Sequence, residues 1–246
     1  MELSVVVSNY ENDYSLKNTF IGLNRQKTNF EWEVCFFDDC SYEDPKPIYD
    51  EFLNVKNKKG IRLKQHIGNL GYSSAFSNHT WFKPGASMAM EMASADIIVI
   101  MHSDILILDD DALQKFHDRM QEKVLQIPRI WTRDVDKKMY LDFDAGIEKA
   151  NTWNTTDMLY QDTVPPRLYQ GPALMPFYRK TLLDIDYPHN VHEIELTARY
   201  MKQGYTMEHS EVRAVHQRHR NIPNVFATGG NNLLHWHKDC PERITY

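Results

Sequence analysis

Short apolar runs alternate along this chain with longer stretches of mixed polarity. Leu3-Ser4-Val5-Val6-Val7-Ser8, Trp32 to Asp38, Ile61 to His66 and Asp96 to His102 predict strands near residues 3–8, 32–38, 61–66 and 96–102. The last contains Ile97-Ile98-Val99-Ile100-Met101, an unbroken apolar run that fits a strand buried on both faces. Between the runs, helical patterning predicts helices over 14–26, 45–54 and 85–94. Met88, Met90 and Met92 read as core filling on the third of these rather than as a metal-binding run. Strands alternating with helices predict an α/β fold, with a mainly parallel sheet and right-handed crossovers.

Polar clusters follow the strands. In an open α/β sheet ligands bind outside the carboxyl ends of the strands, so these clusters are where chemistry is expected. His102-Ser103-Asp104 follows the fourth strand. A His and an Asp two residues apart can hold a divalent cation and, through it, a phosphate; the alternative is that Asp104 only caps a turn. Asp38-Asp39 ends the second strand. Asp109-Asp110-Asp111, before Ala112-Leu113, reads as carboxylates capping a helix and complementing its dipole rather than as a metal site. From Trp131 to Arg167 the pattern weakens into polar and aromatic residues with Asp134, Asp136, Asp142 and Asp144, as expected of a long loop over a site. Regularity returns from Gly171 to Lys180, ahead of Thr181-Leu182-Leu183, and again in a strand near 207–215.

Composition narrows the class. The 246 residues, 42% of them hydrophobic, leave room for one large domain or a domain with a tail. A net charge of −6 gives no general attraction to nucleic acid or anionic membranes. No apolar run approaches the ~18 residues of a membrane span, and Met1-Glu2-Leu3 leads straight into a strand. Cys35, Cys40 and Cys240 form neither a disulfide framework nor a zinc spacing, so a reduced, cytoplasmic protein is expected. Lys56 to Lys64 reads as a solvated turn into an edge strand, and Arg213 to Arg220 as a richer basic stretch.

Order and spacing together resemble the family 2, GT-A type glycosyltransferases: a strand, the Ser8-Asn9-Tyr10 turn, a helix ending near Gln26, a strand ending in Asp38-Asp39-Cys40-Ser41, and His102-Ser103-Asp104 where that family carries Asp-x-Asp. The likeness extends to about His219. His192-Glu193-Ile194-Glu195-Leu196-Thr197-Ala198-Arg199, then Gly204-Tyr205, is similar to the family's Glu-Asp-x-Asp-Leu-x-x-Arg followed by Gly-Tyr. The resemblance implies a GT-A fold, Rossmann-like, with a mixed, mainly parallel central sheet flanked by helices and a C-terminal acceptor-side region. It implies one domain over 1–220, with a nucleotide-sugar part at 1–105 and an acceptor and catalytic part at 106–220, and a tail over 221–246 packing on it.

The implied chemistry is sugar transfer from a nucleotide-diphosphate sugar, a UDP-sugar first, to an acceptor such as a glycan or a modified nucleic-acid base, by a metal-dependent, inverting route. Asp104 is the leading metal ligand. His102 stands in for the first Asp of the motif, as a ligand or as a direct phosphate contact, and His216 falls where a third ligand is often supplied. Imidazole favours Mn²⁺ over Mg²⁺, which prefers oxygen. Ser8, Tyr10, Asp39, Asn69, Ser103 and Arg218 are the expected donor-binding residues, with Asp38 stabilising the turn. Glu193 aligns with the catalytic Asp and is the expected general base; Glu195 and Arg199 read as a helix pair. The chain departs from the pattern at His102 and Glu193, which leaves open a non-catalytic nucleotide-sugar or glycan-binding module. A nucleotidyltransferase is disfavoured, because Val7-Ser8-Asn9-Tyr10-Glu11 lacks a Gly-rich, basic phosphate loop.

Overall fold

The structure is a computed structural model and describes residues 1–9, 13–38, 41, 43–63, 90–134, 173–184, 199–218 and 243–245. Its elements are β1 (Leu3–Asn9), α1 (Asp13–Asn24), β2 (Trp32–Asp38), α2 (Lys46–Phe52), β3 (Lys58–Leu63), β4 (Ile97–His102), β5 (Ile105–Ile107), α3 (Ala112–Asp118), β6 (Val124–Asp134), β7 (Leu174–Tyr178), α4 (Arg179–Asp184), β8 (Thr206–Arg218) and β9 (Arg243–Thr245).

The main sheet has the order β7-β4-β1-β2-β3-β9. Its centre, β4-β1-β2-β3, is parallel, and β7 and β9 add antiparallel edges. The expected mixed, mainly parallel α/β sheet is present. Successive residues of a strand face opposite sides, and here both sides are covered. Val5, Val7, Val34, Phe36, Val99 and Met101 enter one core cluster; Val6, Cys35, Phe37, Ile98 and Ile100 enter the other. That two-sided burial is why these strands read as continuous apolar runs. On the first side α1 buries Leu16, Phe20 and Leu23, and the Phe20 ring meets Phe36 edge-on at 5.3 Å. On the second, Met90 is buried and Met92 half-buried, as core filling predicts, while Met88 lies outside the described residues.

A polar lock holds the N-terminal ends of the strands. Glu33 is buried; its Oε1 accepts from Ser4 Oγ (2.7 Å), Ser94 N (2.6 Å) and Ser94 Oγ (2.7 Å), and its Oε2 pairs with Lys59 Nζ at 2.7 Å. Burial alone would raise the Glu33 pKa, but these partners outweigh it and lower it to about 2.

Three features differ from the sequence reading. First, β3 begins at Lys58, earlier than the apolar pattern, because Lys58, Lys59 and Gly60 pair with Val34, Cys35 and Phe36. β9 pairs along its second half, at Ile61, Arg62 and Leu63, so that part is not an edge, and Lys58 lies over the Tyr49 ring at 4.5 Å. Second, the weak pattern after Trp131 lies partly in a strand, since β6 continues to Asp134. β6 and the long β8 run parallel in a second sheet of order β5-β8-β6, with a register shift between Ile127 and Arg129. Pro128, with no N–H for the ladder, sits at that break and obscures the strand signature. Third, Asp111 holds the N-cap position of α3 without a side-chain cap bond. The acidic triplet instead forms ion pairs: Asp109 with Arg213, Asp110 with Arg25 and Lys27, and Asp111 with Lys115.

Candidate metal and nucleotide site

The C-terminal end of β4 meets β5 and β8 at a tight turn, Ser103-Asp104. His102 closes β4 beside Ser8 of β1, and its N–H donates to Ala173 O at 2.9 Å. His216 of β8 pairs with Ile105 of β5 and Thr132 of β6. Residues 112 apart in the chain therefore face one another: His216 Nε2 lies 3.0 Å from Asp104 Oδ2. The His102 and His216 rings stand edge to face with centroids 5.8 Å apart. One ligand atom from each of His102, Asp104 and His216 lies within 4.8 Å of the others.

The Asp104–His216 pair has the spacing that a shared divalent ion requires. Two ligands each about 2.0–2.2 Å from a shared cation are separated by about 2.8–3.6 Å, between right-angle and tetrahedral geometry. The 3.0 Å spacing of His216 Nε2 and Asp104 Oδ2 falls inside that window. The second oxygen of Asp104, Oδ1, is buried and accepts no hydrogen bond among the described residues, an orphan that a cation would satisfy. Burial opposes charge on Asp104, yet the adjoining His216 and His102 outweigh it and hold its carboxyl below the ordinary carboxylate range.

A buried polar face of α1 supports the turn. Ser15, Asn18 and Thr19 are fully buried. Thr19 Oγ1 lies 2.8 Å from Ser103 O and 3.0 Å from Ile105 O, the carbonyls on either side of Asp104. Asn18 Nδ2 donates to Gln217 Oε1 at 2.9 Å, and the Gln217 N–H donates to Asp104 O at 2.9 Å. Sequence reasoning missed this layer. Its signal was present: three short polar residues at i, i+3 and i+4 on a helix otherwise apolar on its sheet side.

At the end of β2, Asp38 is held entirely by its surroundings. Asn9 Nδ2 donates to its Oδ1 (2.8 Å), Ser41 N to Oδ2 (3.0 Å), Ser41 Oγ to Oδ1 (2.6 Å) and Arg62 Nε to Oδ2 (3.3 Å). Burial pushes the Asp38 carboxyl up, against those hydrogen bonds and the Arg62 charge. This arrangement stabilises the turn at the carboxyl end of β2. Ser8 is half-buried beside His102, and Ser103 is buried. Tyr10, Asp39, Asn69 and Glu193, with the Arg218 side chain, lie outside the described residues.

Residues 4–177 match glycosyl transferase family 2. The chain belongs to that family. Among curated relatives, the chondroitin synthase of Escherichia coli is 30% identical over 147 residues, which is 57% of this chain and 19% of that protein. The family 2 chain thus spans about a fifth of that relative. Among solved structures, S. aureus TarS 1–349 in complex with UDP-GlcNAc superposes with a TM-score of 0.58 at 18% identity, covering 89% of this chain and 59% of that one. The mannosyltransferase PcManGT from Pyrobaculum calidifontis, in complex with GDP-Man and Mn²⁺, also gives 0.58, at 14% identity and coverages of 92% and 59%. These likenesses establish the GT-A fold. In this family 2 chain no helix among the described residues is long and apolar enough to cross a membrane.

Proposed function

We propose that the chain transfers a sugar from a nucleotide-diphosphate sugar to an acceptor, with His102, Asp104 and His216 holding a divalent metal. The observation that carries this reading is the convergence of two imidazoles and a buried carboxylate at the carboxyl end of β4 in a family 2 domain. The ion, when bound, would neutralise charge on the departing nucleoside diphosphate.

The chain's own residues supply the rest. Ser8, Tyr10, Asp39, Asn69 and Ser103 are the proposed donor contacts: Tyr10 stacks on the base, and Asp39 accepts from a base N–H or a ribose hydroxyl. Arg218 follows His216 on β8 by two residues, and its guanidinium suits phosphate oxygens. Glu193 is the proposed general base, taking the acceptor proton in an inverting reaction. The proposed organisation is a catalytic domain over 1–220, divided near 105, with 221–246 as a tail; support for the tail comes from β9, which joins the main sheet beside β3. UDP-linked and GDP-linked sugars are the first donors to test, because structural neighbours bind UDP-GlcNAc and GDP-Man. Mn²⁺ is proposed ahead of Mg²⁺, since two of the three ligands are imidazoles.

The test is release of nucleoside diphosphate from UDP-GlcNAc and GDP-Man with Mn²⁺, alongside donor binding by calorimetry. Asp104→Ala should abolish metal-dependent donor binding while circular dichroism still reports a folded chain. Equal Mn²⁺-dependent binding by Asp104→Ala and the parent would refute the ligand assignment. Donor binding by the parent with no diphosphate release from any donor would favour a binding module.

A further inference from the structure

We infer that the metal site is formed in advance by the buried polar face of α1, so that the chain takes up a transition-metal dication before, and without, the nucleotide. The inference rests on the proposed metal site and goes beyond it, assigning an order of binding and two positioning residues, Asn18 and Thr19.

A site assembled from one short motif needs its ligand to organise it. Here the three donors come from β4, the β4–β5 turn and β8, and each segment is tied before any ion arrives. Thr19 Oγ1 reaches the carbonyls of both Ser103 and Ile105, so the backbone on each side of Asp104 is held to α1. Ser15 Oγ also lies 3.5 Å from Ser103 O. Asn18 holds Gln217, the residue after His216, and the Gln217 N–H returns to Asp104 O. The His102 backbone is tied to Ala173. The ordering cost is met by folding, since the α1 residues are fully buried, and binding affinity rises when that cost is removed. Two imidazoles and one carboxylate select later first-row dications over Mg²⁺, which demands oxygen ligands. Three ligands from the chain suffice to hold such an ion with open positions left for a diphosphate.

The experiment titrates Co²⁺ into the full chain without nucleotide, following the visible d–d absorption, with Mg²⁺ as competitor. The parent should bind one Co²⁺, and excess Mg²⁺ should not displace it. Thr19→Val keeps the shape of the side chain but removes the hydroxyl, and should weaken Co²⁺ binding by about 10–100-fold, the usual cost of losing an outer-layer partner. Thr19→Ser restores the hydroxyl and should bring affinity back, which a purely structural role for the lost methyl would not. Asn18→Ser provides an independent variant if Thr19→Val melts too early to titrate. If the parent binds Co²⁺ only once UDP is added, advance formation is wrong. If Thr19→Val and Asn18→Ser bind as tightly as the parent, α1 does not position the ligands, while the metal site stands. If the parent binds no Co²⁺ with or without UDP, the metal site itself falls, and this inference with it.

Discussion

Glu33 offers a measurement that separates the fold from the chemistry. It lies at the N-terminal end of the main sheet, whereas His102 and Asp104 lie at the opposite end, so changing it should alter stability and leave the site's own binding intact. Its carboxyl falls from an ordinary 4.5 to about 2 in the folded chain. A proton then binds about 300-fold less tightly to the folded than to the unfolded state, equivalent to roughly 3 kcal/mol. The sign follows from the direction of the shift. A depressed carboxylate pKa contributes stability that is fully present above pH 4.5 and is lost as pH falls through about 2. Glu33→Gln keeps the acceptor for Ser4 and Ser94 but removes the carboxylate charge, and should cost up to about 3 kcal/mol at pH 7, the free energy that the pKa shift represents. The informative quantity is how the gap between parent and variant changes with acid. With pKa values of 4.5 and about 2, the parent's advantage should shrink by about 2 kcal/mol between pH 7 and pH 3. Comparing the two proteins cancels other carboxyls, including Asp38, whose raised pKa acts in the opposite direction. Urea unfolding followed by circular dichroism at both pH values reads the gap directly. A gap equal at pH 7 and pH 3 would refute the account of Glu33 as an ionised, buried brace.

The remaining predictions concern the site. His102→Asp replaces imidazole with oxygen and should move metal preference toward Mg²⁺, read from Mn²⁺ and Mg²⁺ titrations of donor binding; an unchanged metal profile would show that His102 is not a ligand. Glu193→Gln should leave donor affinity near the parent's and lower turnover by ~10²–10⁴-fold, the range for a lost general base. Glu195→Gln should cost only ~0.2–0.5 kcal/mol of helix stability, so the reverse ranking in a turnover assay would place the base at Glu195.

Local pattern was enough for the central sheet. β1, β2 and β4 are legible because each strand is buried on both faces, so nearly every residue must be apolar whatever its neighbours are. The polar turn at 102–104 is legible for a related reason: a carboxylate directly after a buried strand stands out. Asp38 could also be read as the turn-stabilising member of its pair, and the four hydrogen bonds it accepts bear this out. Other features depend on partners far along the chain. β6 is a strand because β8 pairs with it, although Gln126, Pro128 and Arg129 break its apolar pattern. The acidic run at 109–111 looks like a cap locally, but Arg213, 104 residues beyond Asp109, redirects it into an ion pair. The same holds for the candidate site. Each of His102, Asp104 and His216 can be picked out by its place after or within a strand, but no spacing predicts 3.0 Å between residues 112 apart. Nor does the sequence say that a polar stripe on α1 faces that turn. Strand formation reports the burial of each residue's own surroundings, which composition carries; a site is made by convergence, and only the packed chain specifies which surfaces meet.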